Sequence, residues 1–206
     1  MLTTLKRNNL PKRESHLVRK EQIAEAALSI IGADGIKGLT TATIAKEVGI
    51  SESSLYRHFK NKEEIIKSVI DLVSQVMMNN YQSAQKEPIS SLEKIERFFY
   101  NNTAYFEQHR GFVRIMFSSE IVFTKELKQY MSEKIAAYIA VLSGLLDEGK
   151  ADGSVKADID SASMAVMFIG MHQLNNLRRL LSGFDYPFKD EALRLWSSFK
   201  NIVAVK

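Results

Sequence analysis

With 206 residues, 45% of them hydrophobic, and only 10 Gly and 3 Pro, the chain can fill one sizeable core or two small ones. It is too poor in turn-formers for a many-turned β-sandwich, so long helices with short connections are expected. The absence of cysteine excludes disulfides, a thiolate nucleophile and a Cys-ligated zinc, and suits a reducing cytoplasm. The formal charge of +4 is unevenly spread: residues 1–62 hold 11 Lys and Arg against 6 Asp and Glu, and the remainder holds 17 against 18. A basic module on a neutral body is what phosphate contact and counterion release require, although random scatter over a surface gives the same counts.

Residues 1–17, with Lys6, Arg7, Pro11, Lys12 and Arg13 and no sustained apolar period, read as a mobile basic arm or as an ordinary terminus. From about Val18 a helix is predicted, because Ala24, Ala27, Leu28 and Ile31 form one apolar stripe; Gly32, Gly35 and Gly38 are expected to end it. Thr40 can cap a second helix that buries Ile44, Ala45 and Val48. Gly49 then supplies the positive φ of a sharp turn, Ser51 caps a third helix to about Phe59, and Leu55 and Phe59 anchor it. Ala45, Gly49 and Leu55 have the spacing of a helix-turn-helix, in which two steeply crossing helices leave room for little more than a methyl group. A purely structural helical hairpin would have the same spacing.

The body, residues 63–206, keeps helical apolar spacing almost throughout. Ile66, Val69, Ile70, Val73, Val76 and Met77 mark a helix over about 62–85 that leaves the head without Gly or Pro, a rigid lever. A helix starting at Pro88 and Ser90 carries Leu92, Ile95, Phe99, Thr103 and Phe106. A short one lies around Phe112 to Ser118, and a long one capped by Thr124 carries Leu127, Met131, Ile135, Tyr138, Leu142 and Leu145 until Asp152-Gly153. The last two cover about 160–181 and 188–205. The first of these is apolar on more than one side, so it must be buried on several. The longest apolar run, Met164 to Met171, is far short of the ~20 residues that span a bilayer, and no leader is visible, so a soluble protein without a membrane partner is expected.

The run Leu39-Thr40-Thr41-Ala42-Thr43-Ile44-Ala45-Lys46-Glu47-Val48-Gly49-Ile50-Ser51, with Ser54-Leu55-Tyr56-Arg57-His58-Phe59-Lys60-Asn61-Lys62-Glu63, resembles the DNA-binding domain of the TetR family over residues 18–65. The resemblance implies an all-α fold: a three-helix head over 18–62, joined by the long helix to a helical effector-binding and dimerisation domain over 63–206. It also implies a DNA-binding regulator, a repressor released from its operator by a small ligand, that acts as a cytoplasmic homodimer on an inverted-repeat operator. The third helix would enter the major groove with Glu52, Ser53, Ser54, Tyr56 and Arg57 on its outward side, and Ser51 at its start would also meet DNA. Tyr56 matches the family's tyrosine that meets phosphate or thymine methyls, and Lys62 its backbone-contacting lysine. Thr41 and Thr43 sit where hydroxyls and free N–H groups converge on phosphate, and Arg57 can read guanine or hold one more phosphate. The last two helices would pair with their twins in the dimer, or fill an ordinary intrachain core.

The body is rich in Phe and Met, which suits an adaptable apolar pocket as well as plain core packing. A pocket would be lined by Phe99, Thr103, Phe106, Met116, Met167, Met171 and His172, and would take a small apolar or amphipathic effector. Arg110, Arg114, Arg178 and Arg179 could hold an anionic headgroup at its mouth. The sequence has no Gly-rich phosphate loop, nucleophile elbow or carboxylate cluster of metal-ligand spacing, so no enzyme, cofactor or metal site is expected.

Overall fold

A computed structural model describes residues 12–118 and 124–205, with side chains from Leu17 onward. The described residues form nine α-helices and no strand: α1 (Lys12–Asp34), α2 (Thr41–Val48), α3 (Glu52–Tyr56), α4 (Lys62–Gln85), α5 (Ser91–Gln108), α6 (Arg110–Met116), α7 (Lys125–Ala151), α8 (Ser161–Leu181) and α9 (Phe188–Val203).

Two expectations at the N-terminus change. The first helix begins at Lys12, not Val18, so residues 12–17 are helix and not a mobile arm; residues 1–11 lie outside the described residues. No Gly or Pro stands between Lys12 and Ile31, so nothing stops the helix from extending toward its start. Gly32 does not end it either. The helix runs on to Asp34 and stops at Gly35, whose φ of 72° is in the left-handed region.

The helix-turn-helix is fastened by its own short polar residues. Thr40 and Thr43 form a reciprocal capping box at α2, Gly49 takes φ 71° at its C-terminus, and Ser51 Oγ accepts from the Ser54 N–H to start α3. Asn61 does the same for α4 by accepting from Glu64. α3 is one turn shorter than predicted, ending at Tyr56, yet Phe59 is still buried beyond it.

Two apolar clusters hold the chain together. The first gathers Ile23, Ala27, Ile31, Ile44, Leu55, Ile65 and Val69 and continues without a break into Phe106, Phe112 and Ile115 of α5 and α6. The second joins Ile95, Phe98, Phe99, Leu142, Phe168, Trp196 and Phe199 from α5, α7, α8 and α9. The head therefore touches the body in two places. One is α4, whose first turns belong to the head core. The other is a crossing of α1 on α6: a Cβ added at Gly111 would lie 2.0 Å from the Leu28 carbonyl oxygen, and one at Gly32 would lie 3.2 Å from the Gly111 nitrogen. At Gly111 only hydrogen fits.

Candidate DNA-reading head and ligand cavity

The head presents a compact polar surface around α3. Tyr56 is 55% exposed, far more than a tyrosine packed for stability, and Arg57 and Ser53 are also exposed, with Ser54 partly so. The remaining candidates have partners inside the head. Ser51 Oγ caps α3 and meets Ser53 Oγ at 2.9 Å. Thr43 Oγ1 accepts from the Thr40 N–H at 3.0 Å in the capping box and donates to the Gly38 carbonyl at 2.8 Å, so its hydroxyl is used within the head. Thr41 Oγ1 donates to the Glu52 carboxylate and ties α2 to α3. Lys62 Nζ donates to the Ile36 carbonyl at 2.8 Å, which clamps the start of α4 to the turn after α1. An ammonium has two further protons, so this clamp does not exhaust Lys62.

The body holds a cavity of about 600 Å³ between α4 and α7, floored by α5, α6 and α8. Its wall includes Ile70, Ser74, Met77, Met78 and Tyr81 of α4, Met131, Ile135, Tyr138 and Val141 of α7, and Phe112 and Met116 of α6. Phe106, Ile169, His172 and Asn176 lie on the floor side. At the mouth Asp71 of α4 meets two groups of α7, the Lys134 Nζ at 2.6 Å and the Tyr130 hydroxyl. Behind the wall residue Tyr138, Asn80 donates to Asn102, and Asn102 to the Tyr138 hydroxyl. His172 stacks on Phe99 with ring centroids 4.2 Å apart, and burial pulls its pKa down to about 4, so the ring is neutral at physiological pH. A mostly apolar space with a few placed polar groups is the usual form of a small-molecule site.

Residues 23–69 match the family described as "Bacterial regulatory proteins, tetR family", and residues 88–175 match "Tetracyclin repressor-like, C-terminal domain". The chain belongs to the TetR family. It is 25% identical over 181 residues to the nucleoid occlusion factor SlmA of Vibrio vulnificus, covering 87% of this chain and 92% of that protein. It is 29% identical over 146 residues to the HTH-type transcriptional repressor KstR2 of Mycolicibacterium smegmatis, covering 69% and 70%. Among solved structures, the transcriptional regulator FadR of Bacillus subtilis, in complex with stearoyl-CoA, superposes with a TM-score of 0.73 at 22% identity, over 88% of this chain and 97% of that one. As a TetR-family protein the chain is a DNA-binding transcriptional regulator with an N-terminal helix-turn-helix and a helical C-terminal part. Among the described residues no helix is long and apolar enough to cross a membrane.

Against this TetR frame the sequence-predicted cavity residues divide. Phe106, Met116 and His172 line the cavity. Phe99 and Thr103 sit one layer behind, buried at 0% and 4% exposure, where Phe99 backs the His172 ring and Thr103 Oγ1 bonds its Nε2 at 3.0 Å. Met171 packs against the second cluster, away from the cavity. Met167 is 45% exposed on the outer side of α8. The error has a clear cause: α8 is apolar on several sides, so its period could not say which side turns inward. The inward side is that of Ala165, Phe168, Ile169, His172 and Asn176.

The four arginines expected at the mouth are used elsewhere. Arg179 donates to the Phe106 and Glu107 carbonyls at 3.0 and 2.8 Å, and Arg178 pairs with Glu191 at 3.2 Å. Arg110 and Arg114 lie over the Phe184 ring. None of the four lines the cavity; the cation that does is Lys134. Asn80, Asn102 and Asn176, which sequence reading passed over, had a usable signal: each is a polar residue at a position where the helix period calls for an apolar one.

Proposed function

We propose that this regulator is a repressor that binds an inverted-repeat operator as a homodimer and leaves it when an apolar or amphipathic molecule fills the α4–α7 cavity. The observation that carries the reading is the double attachment of the cavity wall to the head. α4 runs without a break from the cavity wall into the head core, and α6 carries Phe112 and Met116 on the cavity and Gly111 against α1. A ligand that spreads α4 from α7 works against the Asp71–Lys134 contact at the mouth and tilts both supports of the head. The stearoyl-CoA held by FadR and the repressor KstR2 support a ligand of this kind and this direction of regulation. A second reading, DNA binding without a small-molecule effector, draws on the identity with SlmA; it gives the cavity no role.

The groove-reading residues in this proposal are Tyr56, Arg57, Ser53 and Ser54, with Thr41, Thr43, Ser51 and Lys62 at the phosphates. The dimer forms through α8 and α9. The outer side of α8 exposes Val166, Met167, Leu174 and Leu181, and α9 exposes Leu193 and Ile202, more apolar surface than a lone chain leaves in water. Gly170 lies in the same stripe with nothing within 4 Å of its would-be Cβ, where a second helix can approach closely. Phe199 and Trp196 of α9 are 1% and 2% exposed and lie inside the protomer. The interface is therefore tested at Leu174, 59% exposed: Leu174→Glu gives monomers in sedimentation without unfolding, and a dimer unaffected by the charge contradicts this arrangement.

The functional test selects an operator from random duplexes and measures its release. Long-chain alcohols, acids and acyl-CoAs are added, and at least one lowers operator affinity in wild type. Ala137→Trp, which fills the cavity from an exposed lining position, keeps DNA binding and loses the response. Operator binding indifferent to every probe, or a response that survives Ala137→Trp, refutes ligand relief through this cavity.

A further inference from the structure

The turn that follows α8 gathers cations. The guanidinium carbons of Arg110, Arg114 and Arg179 lie 4.7, 5.4 and 5.3 Å from the centre of the Phe184 ring. Arg110 and Arg114 stand four residues apart on α6 and so share one face of it. Phe184 has φ 71°, a left-handed conformation that a residue with a bulky side chain rarely adopts. Its N–H donates to the Arg179 carbonyl at 2.9 Å, which closes the turn. A ring quadrupole attracts cations but has no net charge, so it leaves three like charges uncancelled.

No acidic side chain cancels them either. Glu107, whose charge acts on Arg179, is paired with Lys189 at 2.8 Å, and Glu191 is paired with Arg178. Asp34, before Gly35, and Asp185, after Phe184, form no ion pair with any of the three among the described residues. Burial, and after it the Arg110 charge, hold the Arg179 pKa below the usual arginine value. Arg179 is 5% exposed and gives its terminal nitrogens to the Phe106 and Glu107 carbonyls. Arg110 and Arg114 keep donors to spare, because neither donates a hydrogen bond to a described residue. Arg110 is exposed and Arg114 partly so. Of the Arg114 guanidinium only Nε is shut off from solvent, so its two terminal nitrogens stay within reach of a ligand. Arg114 also touches the head: its Nη1 lies 3.4 Å from where a Cβ would stand at Gly35, on which α1 stops.

Two guanidiniums on one face offer two forks of paired donors. A carboxylate, with two oxygens, fills one fork. A tetrahedral dianion has oxygens for both, and its charge matches the excess better. A cation would be repelled, and a neutral donor would meet only donors. Arg110 also lines a cleft of about 590 Å³ walled by Leu28 and Gly32 of α1, Val76 of α4 and Tyr105 of α5, with room for the organic part of a phosphate ester. The acid among its described lining, Glu25, disfavours the phosphate there and keeps it at the arginines.

We propose that Arg110 and Arg114, on the platform of Phe184 and Arg179, form an oxyanion site that takes a phosphate dianion, free or borne by a small metabolite, and fastens α6 to the end of α1. The site does not depend on the α4–α7 cavity having a ligand.

The test titrates the full-length protein by calorimetry with inorganic phosphate, phenyl phosphate and acetate at one ionic strength. Phosphate binds about tenfold tighter than acetate and raises the melting temperature. Arg110→Gln and Arg114→Gln each weaken phosphate about tenfold, as the loss of a charge-assisted pair requires. Arg110 is exposed, so its variant decides the matter if Arg114→Gln unfolds. Arg178→Gln, whose side chain turns to Glu191, leaves binding within about twofold. Phenyl phosphate binding no tighter than phosphate marks the free ion as the ligand, and tighter binding marks an ester; either supports the site. Phosphate no better than acetate, or unchanged in Arg110→Gln, overturns it. So does a salt slope of operator binding lowered by about 1 in these variants without any phosphate binding, which assigns both arginines to the operator backbone.

Discussion

The head and the body are built from different materials, and the difference indicates where the molecule can change shape. The head core is almost wholly aliphatic: Ile23, Ala24, Ala27, Leu28, Ile31, Ile44, Leu55, Ile65 and Val69 are each under 9% exposed, and three polar caps within 22 residues, Thr40, Ser51 and Asn61, set its chain reversals. Branched side chains have few rotamers and pack solidly. The body core is aromatic, with Phe98, Phe99, Phe168, Trp196 and Phe199 in ring contact, and it stands beside a cavity of about 600 Å³ edged with Met. Methionine can repack where branched residues cannot. In the proposed response to a ligand the head moves as a unit and the body deforms.

Breaking the junction between them gives the largest expected effect. Inside a helix Gly→Ala is ordinarily stabilising by up to ~1 kcal/mol, and Gly170→Ala, in open space, follows that rule in the protomer. Gly111 reverses it because its Cβ meets the Leu28 backbone, which cannot swing aside as a side-chain tip would. Gly111→Val lowers unfolding stability by about 3 kcal/mol or more, and denaturant titration reads it. A Gly111→Val protein as stable as wild type removes the α1–α6 crossing as a support of the head.

Acid separates the two regions next. Folded His172 takes up its proton only near pH 4, whereas in the unfolded chain the same group does so near 6.5. Between those values the unfolded state binds more protons, so stability falls as pH drops through this window, by up to roughly 3 kcal/mol. The melting temperature of wild type falls from pH 7 to 4. His172→Phe flattens the curve over that range, and an unflattened curve assigns the acid loss to other groups.

The smallest effect sharpens the reading of the head itself. Arg57→Ala weakens operator binding by ~1–3 kcal/mol if it reads guanine and leaves stability unchanged, because Arg57 is exposed. Lys62→Ala loses the bond to the Ile36 carbonyl and so also lowers stability, by about 1 kcal/mol. If Lys62 contacts phosphate as well, its loss weakens all sequences alike and reduces the salt slope by about 1. Anisotropy titrations over a salt series, paired with unfolding curves, distinguish a clamp from a clamp that also holds DNA.

The head was legible because its signals are local. A cap, a left-handed glycine and an apolar residue six positions on act within one or two turns, and Thr40, Gly49, Ser51 and Leu55 all stand where their chemistry placed them. The helices of the body were legible for the same reason, Ser90 and Thr124 capping α5 and α7 as their positions foretold. The cavity was not. Phe99 and Phe106 share a face of α5, yet Phe106 lines the cavity and Phe99 stands behind His172, because the distinction lies in what α7 and α8 set opposite them. Likewise Arg110, Arg114 and Arg179 converge on Phe184 instead of the mouth, since only the packing of α6 and α8 against the turn after α8 brings that ring between them.

From its residue order alone this chain determined its helices, their caps, the helix-turn-helix and the surface that α3 presents, since period and capping are properties of neighbouring residues. Which side of α8 faces inward, that Gly111 is a helix crossing and not a turn, and that Arg110, Arg114 and Arg179 meet around one ring were decided by tertiary structure. Each depends on contacts between segments far apart in the chain, such as Leu28 with Gly111 and Thr103 with His172, and a helical period carries no information about the partner on its far side.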